Sequence, residues 1–235
     1  MSGTLFGIGV GPGDPDLITL KALKVLKRIS VVAYPAPENG ESLARAIAAP
    51  HIPFGLKEIV IRTPMVSETF PAHDVYDHYA NVIETCLAES QDVAALCEGD
   101  PFLYGSFMYI FSRLSARYSV EVVPGVSSLG ACAAAAGVPL VSRNQILTIL
   151  PGSLEEEELE NCIKGAPAIA IMKVGRHLEK ICRVLSRLHL LDIAQYVERA
   201  TMSEQRVMPL RKVKRDSAPY FSMILVRQGE LEAGI

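Results

Sequence analysis

The stretch Gly9-Val10-Gly11-Pro12-Gly13-Asp14-Pro15 lies where an apolar, strand-like run stops and a helical pattern begins. A second stretch, Glu98-Gly99-Asp100-Pro101, has the same position in mid-chain. In α/β proteins ligands bind in turns at the carboxyl ends of strands. Glycine lets the backbone come close to a ligand, and aspartate can cap the helix that follows. The two turns therefore predict an α/β protein whose ligand site is built from strand ends.

The first turn does not match the fingerprint of dinucleotide-binding proteins. It reads Gly9-x-Gly11-x-x-Asp14, so the third glycine of G-x-G-x-x-G is absent. The next predicted strand, 31–34, runs into Pro35, and no acidic residue stands at its end to bind a ribose. Pro12 also lacks an N–H that could donate to a phosphate. These features argue against a nicotinamide dinucleotide site.

The composition is that of a globular protein with one large domain or two. The chain has 235 residues, of which 49% are hydrophobic and 21% charged, and its net charge is −3. Its apolar runs have strand length and are far shorter than the roughly 20 residues of a membrane helix. We expect no membrane span, no secretion signal and a cytoplasmic location. The absence of basic tracts among aromatic residues predicts no nucleic-acid partner.

The sequence also predicts no metal site. The five cysteines form neither a C-x-x-C motif nor the Cys/His spacing of a zinc site, and we expect them to be reduced, small apolar residues. They are Cys86, Cys97, Cys132, Cys162 and Cys182. A possible ligand set consists of His73, Asp74, Asp77 and His78. However, positions five apart on a helix point about 140° apart. We interpret this cluster as a solvated helix face.

Strand and helix patterns alternate in the first half of the chain, which favours a largely parallel sheet. Predicted strands there are 5–10, 31–34, 58–62, 93–97 and 120–123, and predicted helices are 18–29, 42–49, 74–89 and 107–117. The second half has predicted strands 146–150, 168–173, 194–198, 206–210 and 221–226, and helices 129–136, 155–164 and 176–188. Its later strands follow one another without helices, which predicts an antiparallel portion. We expect two α/β domains with mixed sheets, 1–123 and 124–235.

Four stretches, in this order, resemble the tetrapyrrole methylase superfamily. They are Gly9-Val10-Gly11-Pro12-Gly13-Asp14-Pro15, Glu98-Gly99-Asp100-Pro101, Pro124-Gly125-Val126-Ser127-Ser128 and Glu198-Arg199-Ala200-Thr201. Each motif alone is weak, but four in register over nearly the whole chain form a specific signal. Within the superfamily, residues 97–107, 172–178 and 219–224 are similar to the cobalamin-pathway enzymes that methylate carbon 20 of precorrin-2 or cobalt-factor II.

The resemblance implies two α/β domains with S-adenosylmethionine in the cleft between them, a tetrapyrrole trough above the cofactor, and a homodimer. It implies a C-methyltransferase of corrin-ring (vitamin B12) biosynthesis. It also implies which residues bind the cofactor. These are Pro12, Glu98, Gly99, Asp100, Tyr104, Ser127, Ser128, Met172, Lys173, Ala200, Thr201, Tyr220, Phe221 and Ser222.

Several of these residues also have an ordinary structural interpretation. Asp100 could simply cap a helix, and so could the serine pair 127–128. Tyr220 and Phe221 could be core aromatics at the start of a strand. Lys173 stands where relatives more commonly have methionine, so the resemblance assigns its side chain no role.

Methyl transfer from S-adenosylmethionine requires the protein to align the reactants and does not require a covalent intermediate with the protein. A sulfonium methyl group is already an activated electrophile, so the protein has to align an electron-rich ring carbon with it and exclude water. After the transfer a proton must leave carbon 20. His177, Tyr104 and Glu98 could each accept it, and the sequence selects none of them. We therefore assign no catalytic residue.

The many carboxylates of a tetrapyrrole require basic residues around it. Arg45, Arg143 and Arg176 lie near predicted loops, although each could equally be a solvated surface charge. Other functions stay open at this point. The acceptor could be another tetrapyrrole, such as uroporphyrinogen or a later corrin ring, or a protein or RNA. A non-catalytic α/β domain that senses a nucleoside-like ligand is the alternative from a different class.

Overall fold

The computed structural model of the chain describes residues 2–63, 72–214 and 218–228. The chain divides into two compact units, Met1–Ser128 and Leu129–Ile235, called the first and second unit below. The domain boundary that we placed between residues 123 and 124 stays a prediction.

The first unit is built on a five-stranded sheet with the strand order β3-β2-β4-β1-β5. The strands are β1 (Leu5–Gly9), β2 (Val31–Pro37), β3 (Lys57–Thr63), β4 (Val93–Cys97) and β5 (Val120–Val123). Along them run the helices α1 (Leu20–Leu26), α2 (Leu43–Ala48), α3 (Ala72–Ala88) and α4 (Phe107–Leu114). The pairings of β1 with β4 and β5, and of β2 with β3 and β4, are parallel, as the alternating pattern predicted.

The two faces of this sheet are covered by different helices. Alternate residues of a strand point to opposite faces. On one face Leu96 of β4 packs in a buried cluster with Leu26 of α1 and with α2. On the other face Cys97 shares a cluster with Ile110 of α4 and with α3. The connections that leave the neighbouring strands β1 and β4 therefore lead to opposite faces, which is the topological switch point where open α/β sheets bind ligands.

Local capping determines where the first helices begin. Asp14 does not cap α1, because its carboxylate accepts the Asp16 N–H at 2.9 Å and caps a short 3₁₀ turn, Pro15–Leu17. The hydroxyl of Thr19 accepts the Ala22 N–H at 3.2 Å and begins α1. No long helix therefore starts directly at the glycine turn.

The second unit has a mixed five-stranded sheet with the order β6-β7-β10-β8-β9. The strands are β6 (Leu147–Pro151), β7 (Ala168–Met172), β8 (Gln195–Glu198), β9 (Arg206–Pro209) and β10 (Ser222–Arg227). The helices are α5 (Ser128–Ala136), α6 (Glu156–Ile163) and α7 (Leu178–Arg187). Strands β6 and β7 are parallel, whereas β7–β10, β10–β8 and β8–β9 are antiparallel. The predicted antiparallel portion is confirmed.

Each face of the second sheet also has its own core. Leu178, Ile181, Cys182 and Leu185 have helical spacing on α7, and they are buried with α6 against one face. The small-residue helix α5 packs against the other face. The side chains of both faces come from alternate strand residues, as in other sheets covered on both sides.

The structure also bears on the predictions for the cysteines, for the His/Asp cluster and for a membrane span. The five cysteines are free thiols, but Cys162 is exposed, whereas the other four are buried. Asp77 and His78 are exposed on α3, and Asp77 pairs with Arg113 at 2.6 Å. The side chain of His73 lies outside the described residues. Within the described ranges, none of the helices is both long and apolar enough to cross a membrane.

Candidate functional site

In the first unit, the turns that follow β1 and β4 bind each other. The Gly11 N–H donates to the Gly99 carbonyl at 3.3 Å, and the Gly99 N–H donates to the Gly11 carbonyl at 2.7 Å. Both glycines have left-handed φ angles, +84° and +64°, which other residue types rarely adopt. The two glycine turns singled out in the sequence are thus one structure at the carboxyl edge of the sheet. Pro12 follows Gly11 there and is partly buried.

Asp100 connects this edge to the end of β5. One carboxylate oxygen accepts the Phe102 N–H at 2.9 Å, and the other accepts the Gly125 N–H at 3.1 Å. Helix α4 begins later, at Phe107, and its N-cap residue Ser106 makes no side-chain capping bond. The interpretation of Asp100 as a helix cap is therefore wrong. Its carboxylate instead closes an Asx turn and holds a third loop.

Glu98 points to the side of the sheet that carries α2. Its carboxylate accepts the Ala44 N–H at 3.3 Å, in the first turn of α2. Burial raises the pKa of the Glu98 carboxyl above its usual range, while backbone N–H groups, including that of Ala44, act in the opposite direction. The partner of this carboxylate in the structure is thus a helix terminus.

The other predicted residues of the first unit lie around the same edge. Tyr104, in the loop between β4 and α4, has a left-handed φ of +55°, and 39% of its surface is exposed. Ser127 precedes α5, and Ser128 is its first residue. A Cβ atom built on Gly99 would lie 3.8 Å from the Ser128 nitrogen. The structure therefore brings all of the predicted first-unit residues to the ends of β1, β4 and β5.

In the second unit, three strand ends lie at one edge because β10 runs antiparallel to β7 and β8. Strand β7 ends at Met172, whose carbonyl accepts the Gly152 N–H at 2.7 Å. Lys173 follows with a left-handed φ of +55° and an exposed side chain. Its backbone is therefore fixed in an uncommon conformation beside the end of β6.

The corner after β8 is held against the start of β10. The Arg199 N–H donates to the Phe221 carbonyl at 2.8 Å, and the Thr201 N–H donates to the side-chain oxygen of Gln205 at 2.7 Å. Ala200 is buried in the core beside α5. The structure thus places the predicted residues Ala200 and Thr201 next to the predicted segment 220–222.

That segment combines exposed aromatic surface with a fixed backbone. The rings of Tyr220 and Phe221 meet edge to face at 4.9 Å between centroids. Their exposed fractions are 59% and 39%, so neither ring is a core aromatic. Ser222 is buried, and its hydroxyl donates to the Pro219 carbonyl at 2.7 Å. Exposed aromatic faces at a strand end suit the binding of a flat, partly apolar group.

Left-handed backbone angles concentrate at these loops. Among the described non-glycine residues, φ is positive at Tyr104, Lys173, Arg199 and Thr201, and at three others, Ser90, Arg143 and His189. Ser90 and His189 lie two residues beyond the ends of α3 and α7, where such angles are common. The first four lie in strand-end loops instead. Left-handed angles of this kind cost free energy and are typical of functional sites.

Sequence reasoning missed one residue at the edge described in each unit. Gly125 was quoted only as part of a motif, although a Cβ atom there would lie 2.0 Å from the Gly99 carbonyl oxygen. A Pro-Gly pair directly after a predicted strand was the available signal. Arg199 was missed as well, and no local signal reveals its φ of +49°.

The charged residues considered in the sequence have different partners. Arg45 forms an ion pair with Glu58 at 2.9 Å, which also accepts a hydrogen bond from Tyr34. Its charge is thus already paired within the first unit. Burial, followed by Lys180 and Arg176, lowers the pKa of His177. Among the described residues, no group of three His, Cys, Asp or Glu side chains could hold a metal ion.

The fold and these loops define an α/β protein with glycine turns, and with residues in the left-handed backbone conformation, at its strand ends. The family model of the tetrapyrrole (corrin/porphyrin) methylases matches residues 4–213, and the chain belongs to this family. The family predicted from the four motifs is thereby confirmed.

Individual relatives cover the chain nearly end to end. A Sinorhizobium protein named precorrin-2 C(20)-methyltransferase is 40% identical over 232 residues, which cover 95% of each chain. A Mycobacterium bovis protein named cobalamin biosynthesis protein CobIJ is 40% identical over 98% of this chain but 47% of its own length. The chain therefore spans about half the length of that relative.

A solved structure shows the same fold. It is that of a cobalt precorrin-4 methyltransferase described as a cobalamin biosynthetic enzyme. The TM-score is 0.74 at 24% sequence identity, and the likeness covers 95% of this chain and 94% of the other. The predicted α/β fold is confirmed by this likeness together with the two sheets described above, of which the second is mixed.

Proposed function

We propose that this chain is an S-adenosylmethionine-dependent C-methyltransferase that methylates carbon 20 of precorrin-2 or cobalt-factor II in corrin-ring biosynthesis. One observation carries the proposal. The Sinorhizobium relative named precorrin-2 C(20)-methyltransferase is 40% identical to this chain, and the match covers 95% of each protein. Membership in the tetrapyrrole methylase family supports the cofactor.

The residues at the two edges fit this cofactor. S-adenosylmethionine supplies an activated methyl group on a sulfonium, and it carries little net charge. In the first unit the N–H groups of Gly11 and Gly99 already donate to each other's carbonyls, so these turns offer the second lone pair of each carbonyl oxygen and the open space beside Gly99. The second unit offers apolar surface at the exposed rings of Tyr220 and Phe221. We propose that the predicted residues of both units bind the cofactor, mainly through backbone and apolar contacts.

Proton removal from carbon 20 remains without an assigned residue. Burial raises the pKa of Glu98, which makes its carboxylate a better proton acceptor near neutral pH. Burial also lowers the pKa of His177, which favours the neutral, proton-accepting form of its imidazole. Glu98 already accepts a hydrogen bond from α2. We therefore retain Glu98 and His177 as candidates, together with Tyr104, whose exposed side chain lies in the loop after β4.

Turnover of labelled S-adenosylmethionine tests the proposal. The acceptors are precorrin-2, its cobalt complex, uroporphyrinogen, a peptide mixture and RNA, and mass spectrometry identifies the product. We expect one methyl group on precorrin-2 or its cobalt complex. Transfer to uroporphyrinogen alone would assign a different tetrapyrrole, and transfer only to peptide or RNA would overturn the proposal.

Calorimetry tests the cofactor separately from turnover. S-adenosylhomocysteine should bind, and NADH should not, because the turn at Gly9–Gly13 lacks the dinucleotide fingerprint. Tight NADH binding without a response to S-adenosylhomocysteine would contradict the proposal. We also propose a cytoplasmic homodimer; sedimentation equilibrium tests the dimer, and cell fractionation tests the location.

A further inference from the structure

A buried carboxylate lies at the base of the corner that joins β8 to β9. Glu198 is the last residue of β8, and Arg206 is the first residue of β9. Between them the chain turns through Arg199 and Thr201, whose φ angles are +49° and +69°. Thr201 is one of the residues proposed above to bind S-adenosylmethionine.

Glu198 has two partners. Its carboxylate accepts the Tyr196 hydroxyl at 2.7 Å and the Arg206 guanidinium at 3.1 Å. The Glu198 side chain is 7% exposed, whereas that of Arg206 is 62% exposed. The acidic partner is therefore the one withdrawn from water. Tyr196 is buried as well, at 1% exposure, so its hydroxyl has a fixed direction.

Stability alone does not explain a carboxylate at this position. A buried carboxylate costs free energy unless it is hydrogen-bonded, and well-packed apolar residues are often at least as stabilising as a buried ion pair. The pair does, however, join the two ends of the corner. Because Glu198 precedes the corner and Arg206 follows it, their side-chain bond reinforces the backbone pairing of the two strands between which the corner must fit.

The same carboxylate lies next to the second part of the candidate site. Within the sheet, Glu198 of β8 lies opposite Ser222 of β10 on one side and opposite Arg206 of β9 on the other. Directly beyond this register, the Arg199 N–H donates to the Phe221 carbonyl at 2.8 Å. Glu198 thus lies where β8, β9 and β10 meet below residues 199–201 and 220–222.

We propose that Tyr196, Glu198 and Arg206 are positioning residues that hold the corner 199–201 in its left-handed conformation for binding S-adenosylmethionine. The inference rests on the proposed function. None of the three needs to touch the methyl group, since they act through the backbone of the corner. Their loss should weaken cofactor binding and leave the turnover number at saturating cofactor nearly unchanged.

The variant Arg206→Met tests this inference, because it removes the ion pair at an exposed side chain and keeps the apolar stem. Tyr196→Phe removes only the buried hydroxyl. Arg211→Met is the matched control, since Arg211 pairs with Asp192 at 3.5 Å in the same unit and is also exposed. Hydrogen exchange of the amides of residues 199–205 and calorimetry with S-adenosylhomocysteine are measured on the whole chain.

We expect Arg206→Met to speed exchange in residues 199–205 by at least about threefold and to raise the Kd by about three- to tenfold. Tyr196→Phe should act in the same direction, and Arg211→Met should change neither quantity. Unchanged exchange in both variants would overturn the inference. So would faster exchange with an unchanged Kd, because the corner would then move without affecting the ligand.

The wild-type protein separates this inference from the proposed function. If the wild-type chain binds S-adenosylhomocysteine and methylates a tetrapyrrole, a failure of the variants counts against the positioning role alone. If the wild-type chain binds neither the cofactor nor its product, the proposed function fails first. The inference that these residues position a cofactor site is then rejected as well, even if hydrogen exchange shows that the corner has loosened.

Discussion

Gly9 and Gly125 pack so closely that a Cβ atom on Gly9 would lie 2.5 Å from the Gly125 nitrogen. Gly9 is the last residue of β1, and Gly125 follows β5, its neighbour in the sheet. Real Cβ contacts are not this short, so neither position has room for a side chain. Backbone packing between strand ends therefore shapes the first-unit edge of the candidate site.

The variant Gly125→Ala should be strongly destabilised. Its Cβ would lie 2.0 Å from the Gly99 carbonyl oxygen, which is backbone and cannot move aside alone. We expect a loss of about 1–3 kcal/mol in the free energy of unfolding, measured with urea. Gly130→Ala is the control, because Gly130 lies in α5 with open space around it, and helical glycine-to-alanine changes gain about 0.5–1 kcal/mol. Equal stability of the two variants would contradict this account.

Gly99 should distinguish backbone strain from contact with the cofactor. A Cβ atom there would have no neighbour nearer than 3.8 Å, but its φ is +64°. Valine is strained at such an angle, whereas asparagine tolerates it. Gly99→Asn should therefore fold normally and, if this turn contacts the cofactor, raise the Kd for S-adenosylhomocysteine by about tenfold, or 1.4 kcal/mol.

Gly99→Val is expected to lose stability as well as binding. Thermal unfolding and calorimetry on both variants separate the two effects. An unchanged Kd in a folded Gly99→Asn protein would place the cofactor away from this turn.

Glu98→Gln should become more stable relative to the wild type as the pH rises. Burial raises the pKa of Glu98 in the folded state, so the folded protein holds this proton more tightly than the unfolded chain does. The associated stability is present below the unfolded pKa of about 4.3 and is lost as the pH rises through the folded pKa. Glutamine does not titrate, and its side-chain oxygen can still accept the Ala44 N–H. Unfolding with urea at several pH values from 4 to 8 measures the difference.

Glu156→Gln provides a control with the opposite sign. Hydrogen bonds from Arg187 and then Arg183 lower the pKa of Glu156, so ionisation of this residue favours the folded state. The contribution of Glu156 is present above its unfolded pKa and is lost as the pH falls through the folded pKa. Parallel pH profiles for the two glutamine variants would show that burial of Glu98 does not raise its pKa.

Tetrapyrrole affinity should depend on salt more strongly than cofactor affinity. A substrate with many carboxylates needs converging cations, but the chain has 23 Lys and Arg against 26 Asp and Glu, so these cations have to be concentrated locally. S-adenosylmethionine has little net charge. Both dissociation constants are measured from low salt to about 1 M, where the Debye length is about 3 Å. A salt-independent tetrapyrrole affinity would count against the proposed acceptor.

The sequence alone determined the elements, the sheet types and the family. The apolar run 93–97 has the length of a buried strand, and the apolar residues of 178–187 recur at helical spacing; both signals are local. Glycine and proline marked the turns at 9–15 and 98–101 because their backbone preferences are intrinsic. Together with the stretches 124–128 and 198–201, in this order along the chain, these turns predicted the tetrapyrrole methylase family.

Only the tertiary structure decided what the side chains in those turns contact. The sequence allowed Asp100 to bind the cofactor or to cap a helix, but its carboxylate accepts the Gly125 N–H, and that of Glu98 accepts the Ala44 N–H. Glu198 meets Arg206 only because β8 and β9 pair in one register. These partners are distant along the chain, or are set by strand register, so no local pattern contains them. The left-handed angles at Arg199 and Thr201 have the same origin, because the surrounding strands impose them against the intrinsic preference of the residues.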